Sequence, residues 1–356
     1  MEDSHGSSSF TWAEIHQQPE TWLTTQAIVA QHPAIAVIEA LRQGAVICGA
    51  GSSAYAAGAV EQAWHEARAI PTTDLVTEAP ERLPEARMTL SLARSGNSPE
   101  SIAAIHRLKR HRPSMKHFAI TCNAEGRLAR EGLASAIVLD PRTHDRGLAM
   151  TSSFSNLVLA GLCISHSAAL SAALQAICER VTASLSAMSE HAAALAAMPP
   201  QRVVVLAPAP LLPWAREAAL KIVELTGGRI AVLAETFLGL RHGPMSFVDR
   251  GTMVLALVSS DPMVRRYEED VLAELRHKKL GKLVGILPEG CNPAIVDEAV
   301  PAAAGALADY LRTPFEIVYA QLLAYHLSRG VGLDPDNPSP AGVISRVVQG
   351  VTIYAG

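Results

Sequence analysis

No CxxC pair and no HExxH pattern occurs in these 356 residues, and each absence removes a class of function. The five cysteines, Cys48, Cys122, Cys163, Cys178 and Cys291, sit mostly among apolar neighbours, which points to a reducing, cytoplasmic compartment. Thirteen histidines offer no metal pattern: His106 and His111 are five apart and flanked by Arg and Lys. A net charge of −4 and a pI near 6.4 leave no electrostatic footprint for a nucleic-acid backbone. The longest weakly polar stretch, Leu157 to Ala176, is interrupted by Ser165, His166, Ser167 and Ser171, so it reads as buried helix and not as a membrane span. The start, MEDSHGSSSF, is acidic and polar, unlike the basic and then apolar opening of a signal peptide. Neither nucleic acid nor membrane is an expected partner.

Apolar material is plentiful. Hydrophobic residues make up 49% and charged residues 18%, and the length suits two domains of ordinary size. Before residue 45 there are no strand signals, and Trp12 and Trp22 on Thr11–Val29 suggest a helical arm. Then come AVICG (Ala45–Gly49), MTLSLA (Met88–Ala93), HFAITC (His117–Cys122) and AIVLD (Ala136–Asp140), separated by helical segments. Continuous apolar runs suit parallel strands covered on both faces. A long Ala/Ser/Leu-rich helical stretch, Thr151 to Met198, ends at Pro199-Pro200. The pattern restarts with Arg202–Ala207, Arg229–Leu233, Thr252–Ser259 and Lys282–Leu287, with helices around Leu212–Thr226, Val264–His277 and Thr313–Arg329. The expectation is α/β: two doubly wound parallel-sheet domains, 45–199 and 200–332, after a helical arm (1–44) and before a tail (333–356).

Two Ser/Gly loops follow strands in the first half, Gly49-Ala50-Gly51-Ser52-Ser53-Ala54 and Arg94-Ser95-Gly96-Asn97-Ser98-Pro99. Such loops aim backbone N–H groups and hydroxyls at one point beside a helix N-terminus, where a phosphomonoester fits. Ser and Asn are also ordinary helix caps, so one loop alone decides nothing. Gly49-x-Gly51-x-x-Ala54 matches a dinucleotide fingerprint weakly; the second Ser-rich loop favours a compact monophosphate.

In the second half, Glu217, Lys221 and Glu224 recur at helical spacing, and Leu240-Arg241-His242-Gly243-Pro244 follows. A surface ion pair and a turn histidine would account for either feature alone. Together, carboxylate and imidazole suffice to open a sugar ring and move a proton between neighbouring carbons.

These segments resemble the sugar-isomerase (SIS) domain family. GAGSSAYAAG (Gly49–Gly58) and SLARSGNSPES (Ser91–Ser101) are similar to its two phosphosugar loops, and EAALKIVELTGG with RHGPMSFVD to its catalytic segment. WAEIHQQPETW (Trp12–Trp22), TDLV (Thr73–Val76), GLAMTSSFSN (Gly147–Asn156) and DPDNPSPAGVISRVVQGVTIY (Asp334–Tyr354) resemble the tagatose-6-phosphate ketose/aldose isomerase group, also assigned as galactosamine-6-phosphate deaminase. The resemblance implies flavodoxin-like SIS domains and a hexose or hexosamine 6-phosphate substrate. It implies that Ser53, Ser95 and Ser98 hold phosphate, that Ser52 and Asn97 assist, and that Thr151 and Ser152 line the sugar pocket. Ala93-Arg94-Ser95 stands where glucosamine-6-phosphate synthase has Ser-Gln-Ser, so one hydroxyl is lost and the Arg94 guanidinium is implied as its substitute. Glu224 is implied as the base between C2 and C1, His242 as the ring opener reaching in from a neighbouring subunit, and Lys221 as the group steadying the open chain. A homodimer follows, and no cofactor or metal is required.

The tail has no lysine after Lys282, and Arg346 stands near the place of the synthase's imine-forming lysine. Arg does not form a Schiff base. Ammonia-consuming synthesis is therefore not expected, and simple isomerisation or deamination remains. The resemblance to the galactosamine-6-phosphate deaminase group implies deamination of galactosamine 6-phosphate to tagatose 6-phosphate. Alternatives are plain tagatose-6-phosphate isomerisation, glucosamine-6-phosphate deamination and a non-catalytic sugar-phosphate sensor.

Overall fold

The computed structural model describes residues 9–131, 135–165, 167–348 and 350–354. Most of the polar start, His166 and Gln349 of the apolar ending lie outside those residues.

The chain begins with three helices, α1 (Phe10–His16), α2 (Gln18–Gln31) and α3 (Ile35–Leu41). There follow β1 (Val46–Gly49), α4 (Ser52–Glu61), β2 (Arg68–Pro71), α5 (Thr72–Thr77), β3 (Met88–Ala93), α6 (Pro99–His111), β4 (Lys116–Thr121), α7 (Arg127–Arg130) and β5 (Ser135–Val138). Helices α8 (Ser152–Ile164) and α9 (Ala168–Ala196) precede β6 (Arg202–Ala207), α10 (Leu212–Leu225), β7 (Ala231–Thr236), α11 (Phe237–Leu240) and β8 (Thr252–Leu257). The remaining elements are α12 (Pro262–His277), β9 (Lys282–Leu287), β10 (Glu298–Pro301) and α13 (Thr313–Gly330). No helix among the described residues is long and apolar enough to cross a membrane.

Two compact units result. The first holds Gln17–Leu174 and the stretch from Ser339 on; the second holds the stretch up to His16 and Gln175–Pro338. In the first unit the strands form an all-parallel sheet in the order β2-β1-β3-β4-β5. Strands β1 and β3 are buried at every position, which is why they read as unbroken apolar runs. One core cluster gathers Val46, Cys48, Leu75, Ala104 and Leu108; another gathers Ala93, Ile102, Ile105, Ala119 and Leu128. Helix α2 is built into this unit against α8. The fully buried Trp22 donates its indole N–H to Ser155 Oγ at 2.9 Å, and Thr25 donates to Asn156 Oδ1 at 2.7 Å.

In the second unit a second all-parallel sheet runs β7-β6-β8-β9-β10, the same order as the first. Val204, Leu206, Val254, Ala256, Leu272 and Leu283 anchor its core. Both sheets therefore have the flavodoxin-like order, with a switch point between β1 and β3 and between β6 and β8.

Several elements differ from the sequence expectation. The helical arm is split at Gln17, because Pro19 starts a new helix and has no N–H for the old one. The long helical stretch is likewise two helices, and Ser165 ends α8 by donating to Leu162 O at 2.6 Å. Strands β2 and β10, RAIP and EAVP, lie at sheet edges and were not expected; they are short, half-exposed and end in proline.

Candidate active site

In the first unit both Ser/Gly loops leave the carboxyl ends of neighbouring strands, β1 and β3. The first turns so tightly that a Cβ on Gly49 would lie 2.5 Å from the carbonyl carbon of Ser53, so only glycine lets α4 begin there. Ser52 and Ser53 occupy the first turn of α4 and are buried. The second loop reverses at Gly96, with φ of +65°. Its shape is fixed from below: Asn123 Nδ2 donates to Ser95 O at 2.9 Å, Leu128 N to Gly96 O at 3.0 Å and Arg127 N to Asn97 Oδ1 at 3.0 Å. Ser98 Oγ donates to Glu100 Oε2 at 2.7 Å, directly before the first turn of α6. The structure thus brings Ser52, Ser53, Ser95, Asn97 and Ser98 to the switch point of one sheet, beside two helix N-termini.

Arg94 is buried, and its guanidinium is aimed at backbone carbonyls. Nη1 donates to Leu148 O at 3.0 Å and to Gly147 O at 3.4 Å, and Nη2 donates to the carbonyl of Arg346 in the tail. Arg346 in turn donates Nε to Asp145 O at 2.7 Å. The tail arginine is thereby fastened to the loop that leads into α8.

Asp145 organises that loop and was not singled out from the sequence. Its fully buried carboxylate accepts from the backbone N–H of Thr151 (2.8 Å), Ser152 (3.1 Å) and Ser153 (2.9 Å), and from the hydroxyls of Thr151 (3.3 Å) and Ser153. Thr151 and Ser152 are fully buried, and their N–H groups serve this internal carboxylate at the start of α8.

In the second unit the predicted proton-transfer residues stand on and beyond α10. Lys221 Nζ, with no exposed surface, lies 2.5 Å from Glu224 Oε2 and 3.3 Å from Glu217 Oε1. Burial alone would lower the ammonium's pKa, but the carboxylates of Glu217 and Glu224 outweigh it and hold it above the ordinary value. Glu217 is itself fully buried, whereas Glu224 keeps about a quarter of its side chain (23%) exposed. The trio is one inward carboxylate, one ammonium and one outward carboxylate. Glu217 is thus a further site residue; its place four residues before Lys221 was the available cue.

His242 follows α11 on an exposed turn, its backbone N–H donating to Gly239 O at 3.0 Å, and Gly243 takes φ of +117°. Along the chain, strand β7 stands between His242 and Glu224. Glu224 sits in the last turn of α10, just ahead of β7, and His242 comes after β7. Those six residues span about 17 Å at the usual strand rise.

No family model matches the sequence. Over 97% of its length the chain is 36% identical to the D-galactosamine-6-phosphate deaminase AgaS of Shewanella sp. (strain ANA-3), spanning 92% of that protein. It is 33% identical to the D-galactosamine-6-phosphate deaminase AgaS of Escherichia coli, over 97% of the chain and 96% of that protein. Among solved structures, the tagatose-6-phosphate ketose/aldose isomerase of Escherichia coli superposes with a TM-score of 0.85 at 31% identity, over 98% of each chain.

Proposed function

The chain belongs to the AgaS family of SIS-type phosphosugar deaminases and isomerases, and from this membership we propose that it converts galactosamine 6-phosphate to tagatose 6-phosphate and ammonia. The observation that carries the reading is the trio on α10, in which a buried ammonium steadies an outward carboxylate. A carboxylate held in place beside a fixed positive charge can take a proton from carbon and return it next door.

Under this reading Ser53, Ser95 and Ser98 receive the phosphate, helped by Ser52 and Asn97, through charge-assisted hydrogen bonds. Arg94 acts by anchoring the tail. His242 opens the ring. Glu224 then removes the C2 proton, giving the enolamine, and returns it to C1, which leaves an imine at C2. Water hydrolyses that imine, releasing ammonia and leaving the ketose carbonyl. Lys221 steadies the oxygens of the open chain. The same shuttle on a C2 hydroxyl would give plain isomerisation, the activity in the name of the Escherichia coli isomerase.

Because Glu224 and His242 lie beyond opposite ends of β7, we assign His242 to the site of a partner subunit in a homodimer. Five free thiols fit a reducing cytoplasm.

The test is a panel of hexose and hexosamine 6-phosphates in deuterated water. Equal yields of ammonia and tagatose 6-phosphate, with deuterium at C1, are expected from galactosamine 6-phosphate. Ammonia from the gluco epimer alone, or ketose from a hydroxy sugar without ammonia from any amine, would replace the assignment. Ser95→Ala should weaken binding of every 6-phosphate in the panel.

A further inference from the structure

The two sheets have the same strand order, so β8 in the second unit corresponds to β3 in the first. Beyond β3 the chain reads Ser95-Gly96-Asn97-Ser98-Pro99 into α6; beyond β8 it reads Ser259-Ser260-Asp261-Pro262 into α12. Both loops turn serines toward the end of the sheet and start a helix with proline. In the second unit the space is filled from elsewhere in the chain. Asp309 Oδ2 accepts from Ser259 Oγ at 2.5 Å. Asp309 Oδ1 accepts from Ser260 N at 2.8 Å, Ser260 Oγ at 2.9 Å and Arg312 Nη1 at 2.9 Å. Arg265 closes the loop from outside, donating to Ser259 O at 3.2 Å and Ser260 O at 3.1 Å.

We propose that this crevice is an anion site of phosphate class, which the chain keeps filled with its own Asp309 carboxylate. Two hydroxyls, a backbone amide and a guanidinium converge on one small anion, and a phosphate accepts from the same donor set. Charge agrees with that occupancy. Burial pushes the Asp309 carboxyl up, but the Ser259 hydroxyl, the Ser260 amide and Arg312 outweigh it and hold it below its usual range. The neighbouring Glu268 is pushed up to about 8 by burial, and the buried Glu316 carboxylate meets Arg312 Nε at 3.4 Å. Asp309 is the carboxylate that accepts from the Ser259 and Ser260 hydroxyls. The donor set also exceeds what a carboxylate uses. Arg312 Nη2 and Glu268 Oε1, both buried, have no hydrogen-bond partner among the described residues. A phosphate, with four oxygens, has acceptors to spare for the guanidinium. The likeness to the first unit rests on the reading of Ser95 and Ser98 as phosphate ligands; the crevice itself rests on its own geometry.

The experiment counts inorganic phosphate sites on the full chain by equilibrium dialysis. Asp309→Ala should gain one site per chain over wild type, and Ser260→Ala in that background should remove it. Ser95→Ala in the same background should leave the gained site in place. Binding to wild type that ignores Ser95→Ala would therefore count against the first-unit reading alone. A folded Asp309→Ala chain with no extra site overturns the proposal, as does a gain that survives Ser260→Ala. Should Asp309→Ala unfold, phosphate is expected to restore its fold in a concentration-dependent way. Absence of that rescue also overturns the proposal.

Discussion

The ammonium of Lys221 lies 2.5 Å from Glu224 and is itself out of reach of solvent, so the proposed base is held from its buried side. Removing Glu217, the second carboxylate on that ammonium, leaves Lys221 one counter-charge. Its pKa, now held up by both carboxylates, then moves down. For Glu217→Gln we expect kcat to drop about tenfold with KM little changed, and the alkaline limb of the rate profile to move to lower pH. An unshifted limb would give Glu217 a packing role only.

Glu224→Gln keeps the shape of the side chain and removes the base. Exchange of the C2 proton with deuterated water should fall by about 10²- to 10⁴-fold while sugar phosphates still bind. Undiminished exchange would assign the base to another residue.

Subunit complementation tests the separation of Glu224 from His242. Glu224→Gln and His242→Asn chains, each inactive, should regain activity when mixed. About half of randomly mixed dimers are hybrids, each with one intact site of two, so recovery should approach about a quarter of wild type. Silence after verified subunit exchange would place His242 in its own chain's site or outside catalysis.

The strands buried on both faces were legible in the sequence, because a parallel sheet covered by helices leaves an unbroken apolar run. Met88–Ala93, Arg202–Ala207 and Lys282–Leu287 agree residue for residue. Edge strands Arg68–Pro71 and Glu298–Pro301 carry no such run, since half of each faces outward. Serine loops and the Glu-x-x-x-Lys-x-x-Glu helix were visible because their spacing is local. Asp145 and Asp309 were not, as a lone aspartate in a loop takes its meaning from distant residues that only folding brings to it.

Asp145 is expected to be a stability residue. Its carboxylate serves three backbone N–H groups and two hydroxyls in a dry place. Asp145→Ala should cost about 3 kcal/mol or more, because these donors lose their acceptor without gaining water. Denaturant unfolding measures it, with Asp145→Asn falling between.

Glu268 gives stability a dependence on pH. Its folded pKa of about 8 exceeds the ordinary 4.5, so the folded chain holds the extra proton between those values. Its contribution is fully present below pH 4.5 and is lost as pH rises through 8. Glu268→Gln, which cannot ionise, should melt above wild type by a margin that widens across that window. A constant margin would show that Glu268 ionises normally in the folded chain.

The fastening of Arg346 reaches into protease chemistry. Trypsin must draw the segment around an arginine into its cleft, side chain first, and attack the carbonyl that follows. At Arg346 both are taken: the guanidinium holds Asp145 O, and the carbonyl accepts from Arg94. The Arg346–Val347 bond should therefore resist cleavage while the tail is seated and give way in Arg94→Met. A simple digest then reads whether the tail is in place, with no sugar and no assay of turnover.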